Sequence, residues 1–151
     1  MAATIPGAGI TTPLTLTEDG NNDTLTLTST DADATTGPVL NLNRNSASPA
    51  NSDNIGFIRG TGKNDAGQDV DYTNIYNSIV SVSDGAEFGA WELYVMNNGT
   101  ARSYIKANDS AVIINEDSQD INFTVESNGN ATMFKVDANA VSGNGAVGVG
   151  A

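Results

Sequence analysis

Ala90-Trp-Glu-Leu-Tyr-Val-Met96, then Asn97-Asn98-Gly99, then Thr100-Ala-Arg-Ser-Tyr-Ile-Lys-Ala107 is the stretch that decides the fold class. In the first run Trp91, Leu93 and Val95 recur at every second position, which is the period of a strand with one apolar face. Asn-Gly then supplies two residues that accept positive φ, as a tight hairpin turn requires. The next run starts directly after it. The reading is two antiparallel strands joined by a short turn.

Working towards the N-terminus, residues 70–82 carry Tyr72, Ile75, Tyr76, Ile79, Val80 and Val82. The spacing 72, 75, 76, 79 also fits a helix, but the β-branched tail and the neighbouring strands favour a strand. Residues 84–89 read as a turn, 60–69 as a loop with Gly60, Gly62 and Gly67, and 55–59 as another strand. Further back, Val39-Leu-Asn-Leu-Asn43 is β-prone, and Thr24-Leu-Thr-Leu-Thr-Ser-Thr30 alternates cleanly. Residues 31–38 and 45–53 are turn-rich loops between these runs. Towards the C-terminus the expected strands are 111–115, 121–125 and 133–137. Asn108-Asp109-Ser110 and Asn128-Gly129-Asn130 are the turns, and a Gly-rich end alternates Val147 with Val149.

The expected fold is therefore all-β. It consists of short antiparallel strands in a sandwich or an intertwined, trimeric, β-prism-like fibre module. Residues 1–23 form an extended N-terminal arm with Pro6, Gly7, Gly9 and Pro13, and a short alternating Leu14-Thr15-Leu16-Thr17. Its apolar residues Ile5, Ile10, Leu14 and Leu16 follow no helical pattern, so the arm is expected to dock on a neighbouring subunit or a larger particle. Residues 24–151 form the β-rich body, ending in a Gly-rich C-terminal segment.

Composition narrows the function. The net charge is −12, with only six basic residues, and these are scattered singly. No basic patch is available to neutralise phosphates, so nucleic acid is not an expected partner. An acidic surface also repels anionic membranes, and no apolar run reaches spanning length. The absence of Cys and His removes the usual ligands of zinc and iron–sulfur sites, together with every His-based catalytic dyad or triad. No cofactor and no catalytic or metal site is expected, and the chain is not read as an enzyme. The start of the chain lacks a secretory leader pattern. Synthesis in a host cytoplasm and release by lysis fit that.

The apolar stripes are thin, two to four residues per strand, and the chain has nine aromatic residues, one Trp with four Tyr and four Phe. Ordering costs about 1–2 kcal/mol per residue in backbone entropy. Burying a Leu- or Val-sized side chain returns about 1.5–3 kcal/mol. Burial between chains is the expected remedy, and a homotrimer the expected assembly.

Several segments resemble the β-rich repeats of tailed-bacteriophage fibre and virion structural proteins of marine and cyanobacterial type. They are Asp23-Thr-Leu-Thr-Leu-Thr-Ser-Thr-Asp-Ala-Asp-Ala34, Gly37-Pro-Val-Leu-Asn-Leu-Asn-Arg-Asn-Ser46, Asn54-Ile-Gly-Phe-Ile-Arg-Gly-Thr-Gly-Lys-Asn-Asp65, and the stretch from Tyr72 to Asp84. The clearest is Ile121-Asn-Phe-Thr-Val-Glu-Ser-Asn-Gly-Asn130 followed by Met133-Phe-Lys-Val-Asp137 and Ala146-Val-Gly-Val-Gly150. Together they are spread over roughly residues 23–150. The resemblance implies a homotrimeric fibre segment on the virion that contacts other virion proteins through the arm and can reach host surface glycans. The self-cleaving chaperone domain that often follows in that family is not seen before Ala151, and no receptor-binding tip is recognisable. A short fibre, an adaptor or a capsid decoration protein of the head all fit.

The candidate constellations each have a plainer reading. Asp31 with Asp33, and Asp69 with Asp71, are carboxylates at spacing two that can hold Ca²⁺, but neither completes a calcium-loop pattern, so solvated turn carboxylates are expected. The same holds for Glu116, Asp117 and Asp120. Among eighteen acidic residues, Glu87 and Glu92, flanking Trp91, are the first candidates for a glycosidase pair, against the reading that such pairs arise by accident. Trp91, Tyr94, Tyr72, Tyr76 and Tyr104 can line a carbohydrate-binding surface, against the reading that they pack a core or a subunit interface, with Trp91 as a core anchor. Asn22, Asn98, Asn108, Asn122 and Asn130 open glycosylation-like triplets that chance explains. Gly60-Thr-Gly62 and Gly143-Asn-Gly145 read as turns rather than phosphate loops.

Overall fold

The computed structural model describes residues 13–138 and 146–149. It is all-β, with no helix among the described residues. Eight strands follow in order: β1 (Asn54–Lys63), β2 (Asp69–Ser83), β3 (Ala86–Asn97), β4 (Thr100–Ala107), β5 (Val112–Ile114), β6 (Phe123–Ser127), β7 (Asn130–Asp137) and β8 (Ala146–Val149). β1 to β5 form one antiparallel meander in chain order, and β6 to β8 a second. Neither closes into a barrel. Every substantial contact between strands joins neighbours in the same sheet.

The hairpin that opened the sequence reading is the centre of the larger sheet. Asn97 pairs with Thr100, and Asn98 and Gly99 between them have φ of 49° and 77°. A Cβ at Gly99 meets nothing, so the glycine is there for its backbone and not for space. Upstream, β2 is a single strand of 15 residues, so the helical spacing of residues 72–79 is overruled. The alternation is real but broken by bulges. Register slips occur between Gly60 and Thr61, between Ile79 and Ser81, and between Leu93 and Tyr94. A bulge lets two residues oppose one, so it imitates a helical spacing in the bare sequence.

Several expectations are corrected. Residues 84–89 are not one turn: Asp84 and Gly85 make it, and β3 begins at Ala86. Gly60 and Gly62 lie inside β1 rather than in a loop, and the turn is confined to residues 64–68. There Asn64 Oδ1 accepts the backbone N–H groups of Ala66 and Gln68, at 3.1 and 2.9 Å. Gly60 is needed because a Cβ would stand 2.5 Å from Thr73 Oγ1 on β2. Nor are all the strands short, since β2 and β3 run to 15 and 12 residues.

The largest correction concerns residues 14–17, 24–30 and 39–43, which form no strand. The chain divides into the units Met1–Asn41 and Leu42–Ala151, and all eight strands belong to the second. Alternation shows only that a segment suits a pleated surface. A strand also needs a neighbour's N–H and C=O groups, and these segments find none among the described residues. Leu14, Leu16, Leu25, Leu27, Val39 and Leu40 are exposed. The arm residues Ile5 and Ile10, the pair Gly143 and Gly145, and the side chains of Val147 and Val149 lie outside the described residues.

The second correction is energetic. Among the described residues no hydrophobic side chain is buried, and the two buried residues are Asn74 and Ser103, both polar. Trp91 is not a core anchor within the chain, since it keeps 38% of its surface exposed. A sheet needs another layer over its apolar face to be stable in water. The second unit supplies strand pairing without that layer.

Candidate functional site

The larger sheet has two faces of different character, and the register defines them. On one face Ile58, Ile75, Leu93, Ile105 and Ile114 sit opposite each other across all five strands. Trp91 pairs with Ala107, which pairs with Val112, in the next row on that face. Each pair of directly opposed apolar residues adds to sheet stability. Ile58 and Ile114, at the ends of the row, remain 51% and 42% exposed. The row is apolar and continuous, half-buried at Ile75, Leu93 and Ile105 and exposed at its two ends.

The opposite face is aromatic and polar. The Phe57, Tyr76 and Tyr94 rings stack in sequence, each 5.2 Å from the next, the first pair tilted and the second edge-on. The Arg59 guanidinium lies 4.5 Å over the Phe57 ring and pairs with Asp71 at 3.1 Å. Asn74 and Ser103 flank Tyr94 in the same cross-strand row. They are 6% and 1% exposed, and Asn74 Oδ1 and Ser103 Oγ have no hydrogen-bond partner. Burial, then the hydrogen bond and charge of Glu92, push the Tyr94 hydroxyl up to about 12. A shallow concavity of about 680 Å³ opens here, lined by Asp71, Tyr72, Asn74, Tyr76, Met96 and Ala101 among others.

The acidic pairs are occupied within the fold. Asp33 Oδ1 accepts from the backbone N–H and hydroxyl of Thr35, which holds its carboxyl below the usual range, and Asp31 Oδ1 accepts from Asp33 N–H at 3.3 Å. Asp69 pairs with Lys63 at 2.7 Å, and Asp71 with Arg59. Thr61 Oγ1 also donates to Asp71, at 2.7 Å. Glu116 pairs with Lys106 at 3.0 Å, and that hydrogen bond is the chief cause of the raised Lys106 pKa. Asp117 accepts the Ser103 backbone N–H at 2.9 Å. Asp120 is exposed. Among the described residues no three acidic groups gather as a metal-ion site.

Glu87 and Glu92 are not brought together. They stand five positions apart on β3 and so point to opposite faces of the sheet. Glu87 Oε1 accepts the Gly85 N–H at 3.2 Å, while Glu92 belongs to the Tyr94 cluster. The aromatic set likewise divides. Tyr72, Tyr76 and Tyr94 belong to the aromatic side, Trp91 to the aliphatic face, and Tyr104 is the extra residue of the bulge in β4. The asparagines serve turns and connections: Asn98 takes positive φ, Asn108 Oδ1 accepts from Ser110 and Ala111, and Asn122 Oδ1 from Ala138 N–H at 2.8 Å.

Sequence reasoning missed the five-residue aliphatic row and the buried Asn74 and Ser103. The alternation of Ile75, Leu93 and Ile105 was visible, but their alignment depends on bulges that the sequence does not mark. No family model, no curated protein and no solved structure matches this chain.

Proposed function

We propose that this chain is a structural subunit of a bacteriophage virion, forming a homotrimeric, β-rich fibre segment. The observation that carries the reading is the absence of any buried hydrophobic side chain among the described residues, in a chain with long, regular strands. A sequence that specifies strands so clearly, yet closes no core, is built to bury its apolar surface against other chains. The order of motifs in residues 121–150 supports a virion fibre in particular, and capsid decoration is the alternative placement of the same module. The residues of the first unit that find no strand partner fit attachment to a neighbour or to the particle. The test is mass spectrometry of purified particles whose genome encodes the chain. The reading expects the protein there in a fixed copy number divisible by three. Its absence from the particles contradicts the reading.

The aromatic side favours a second reading, a carbohydrate-binding module. Tyr72 and Tyr76 border a concavity that also holds Asp71 and Asn74, and sugars are bound by such a mixture of rings and polar groups. Binding to a glycan array that disappears in Tyr76→Ala supports it. A silent array removes it.

A further inference from the structure

The aliphatic face has a specific occupant. We propose that the row Ile58, Ile75, Leu93, Ile105 and Ile114 is closed by the same face of other copies of this chain, so that the row forms the core of the assembly; this rests on the oligomeric reading above and names the surface that performs it.

Four observations lead there. The row crosses all five strands in direct register, so it is one continuous surface and not scattered exposed residues. Among the described strands none packs as a second layer on the larger sheet. Charge then selects the occupant. The chain carries a net charge of −12, so two copies approach only where neither presents carboxylates. The residues beside the row on this face include Asn77, Trp91, Val95, Ala107 and Val112, none of them acidic; the carboxylate on this side of β3, Glu87, stands near the start of the strand, six residues from Leu93, and a charge next to the row is the cation Arg102, paired with Val95. Meanwhile Asp71, Glu92 and Asp117 gather on or beside the aromatic side, around Arg59, Tyr94 and Ser103. Finally, the need for cover is present in every copy from synthesis onward. Another copy is the partner always available in equal number, and closed symmetry satisfies every face at once.

The chain contains no cysteine, so single thiols can be placed without background. Ile58 and Phe57 are neighbours on β1 that point to opposite faces, with exposures of 51% and 41%. The experiment compares maleimide labelling of Ile58→Cys, Ile114→Cys and Phe57→Cys, with light scattering on each and on Leu93→Asp. The proposal expects the Ile58→Cys and Ile114→Cys thiols to react about tenfold more slowly than that of Phe57→Cys in the native assembly, and equally fast in denaturant. It expects Leu93→Asp to lower the assembled mass. Freely reactive thiols at 58 and 114 in an assembled protein overturn this inference alone, as does an assembly that Leu93→Asp leaves intact. Protected thiols on a species of single-chain mass show that the chain covers its own face, and overturn both this inference and the oligomeric reading.

Discussion

Replacing Ser103 by alanine should stabilise the protein, although the residue is the most buried of those described. Ser103 is 1% exposed and sits on β4 opposite Tyr94. Its backbone N–H is satisfied by Asp117 at 2.9 Å, but its Oγ has no partner. A buried polar group without a hydrogen bond costs about 1–3 kcal/mol. Ser103→Ala removes the hydroxyl and leaves a gap the size of one oxygen, so the loss of packing is well below that of deleting several methylene groups. The expected net change is a gain of about 1 kcal/mol, read as a rise of about 2–4 °C in melting temperature for a chain of this size. The assay is thermal unfolding followed by circular dichroism. Wild type and variant are compared at equal protein concentration, because subunit association makes the midpoint concentration-dependent. A fall of 1 kcal/mol or more refutes the reasoning and means that the hydroxyl is hydrogen-bonded in the native assembly. Asn74 lies in the same cross-strand row with Tyr94 between, so substitutions at 74 and 103 should not be additive.

Other outcomes follow from the same geometry. Tyr94 has its hydroxyl pushed up from 10.0 to about 12, so the folded state resists its ionisation; the stability this gives is complete below pH 10 and is lost as pH rises through 12. Ultraviolet titration of the phenolates should show that Tyr94→Phe removes a late-ionising group, and a titration curve that keeps its late part undiminished in that variant contradicts the assignment. Gly60→Ala places a Cβ against Thr73 Oγ1 and should destabilise by about 1–2 kcal/mol, a loss reduced in a Thr73→Ala background. Denaturant titration of the two single variants and the double variant measures that coupling. The lone Trp91, 38% exposed in the chain, should be shielded from acrylamide in the assembly and quenched freely once the assembly is dissociated.

The second unit was legible because its signals are local. Asn98-Gly99 fixes one hairpin, Asn128-Gly129 fixes the turn between β6 and β7, and the alternation of Ile121, Phe123 and Val125 places β6 within two residues. The boundaries of β1 and β3 were misplaced because Gly60, Gly62 and Gly89 read as turn residues in isolation. In the sheet they are tolerated where Thr73, Tyr72 and Ser78 come close from β2. The Thr-Leu alternation of residues 24–30 expresses a preference that only a pairing partner can realise, and none pairs with it among the described residues. The site was the least legible part. Asn74 and Ser103 are ordinary polar residues in the sequence, and their burial arises from the register of β2, β3 and β4. The supposed carboxylate pair Glu87 and Glu92 failed on parity, since an odd separation along a strand sends two side chains to opposite faces.

On this reading the chain completes its core only with other copies of itself. Size-exclusion chromatography coupled to light scattering tests it most directly. A trimer elutes as a single species at three times the chain mass of 15.5 kDa, stable on dilution. A folded, monodisperse species at 15.5 kDa would contradict it, because a single chain would then be stable with its aliphatic row facing water.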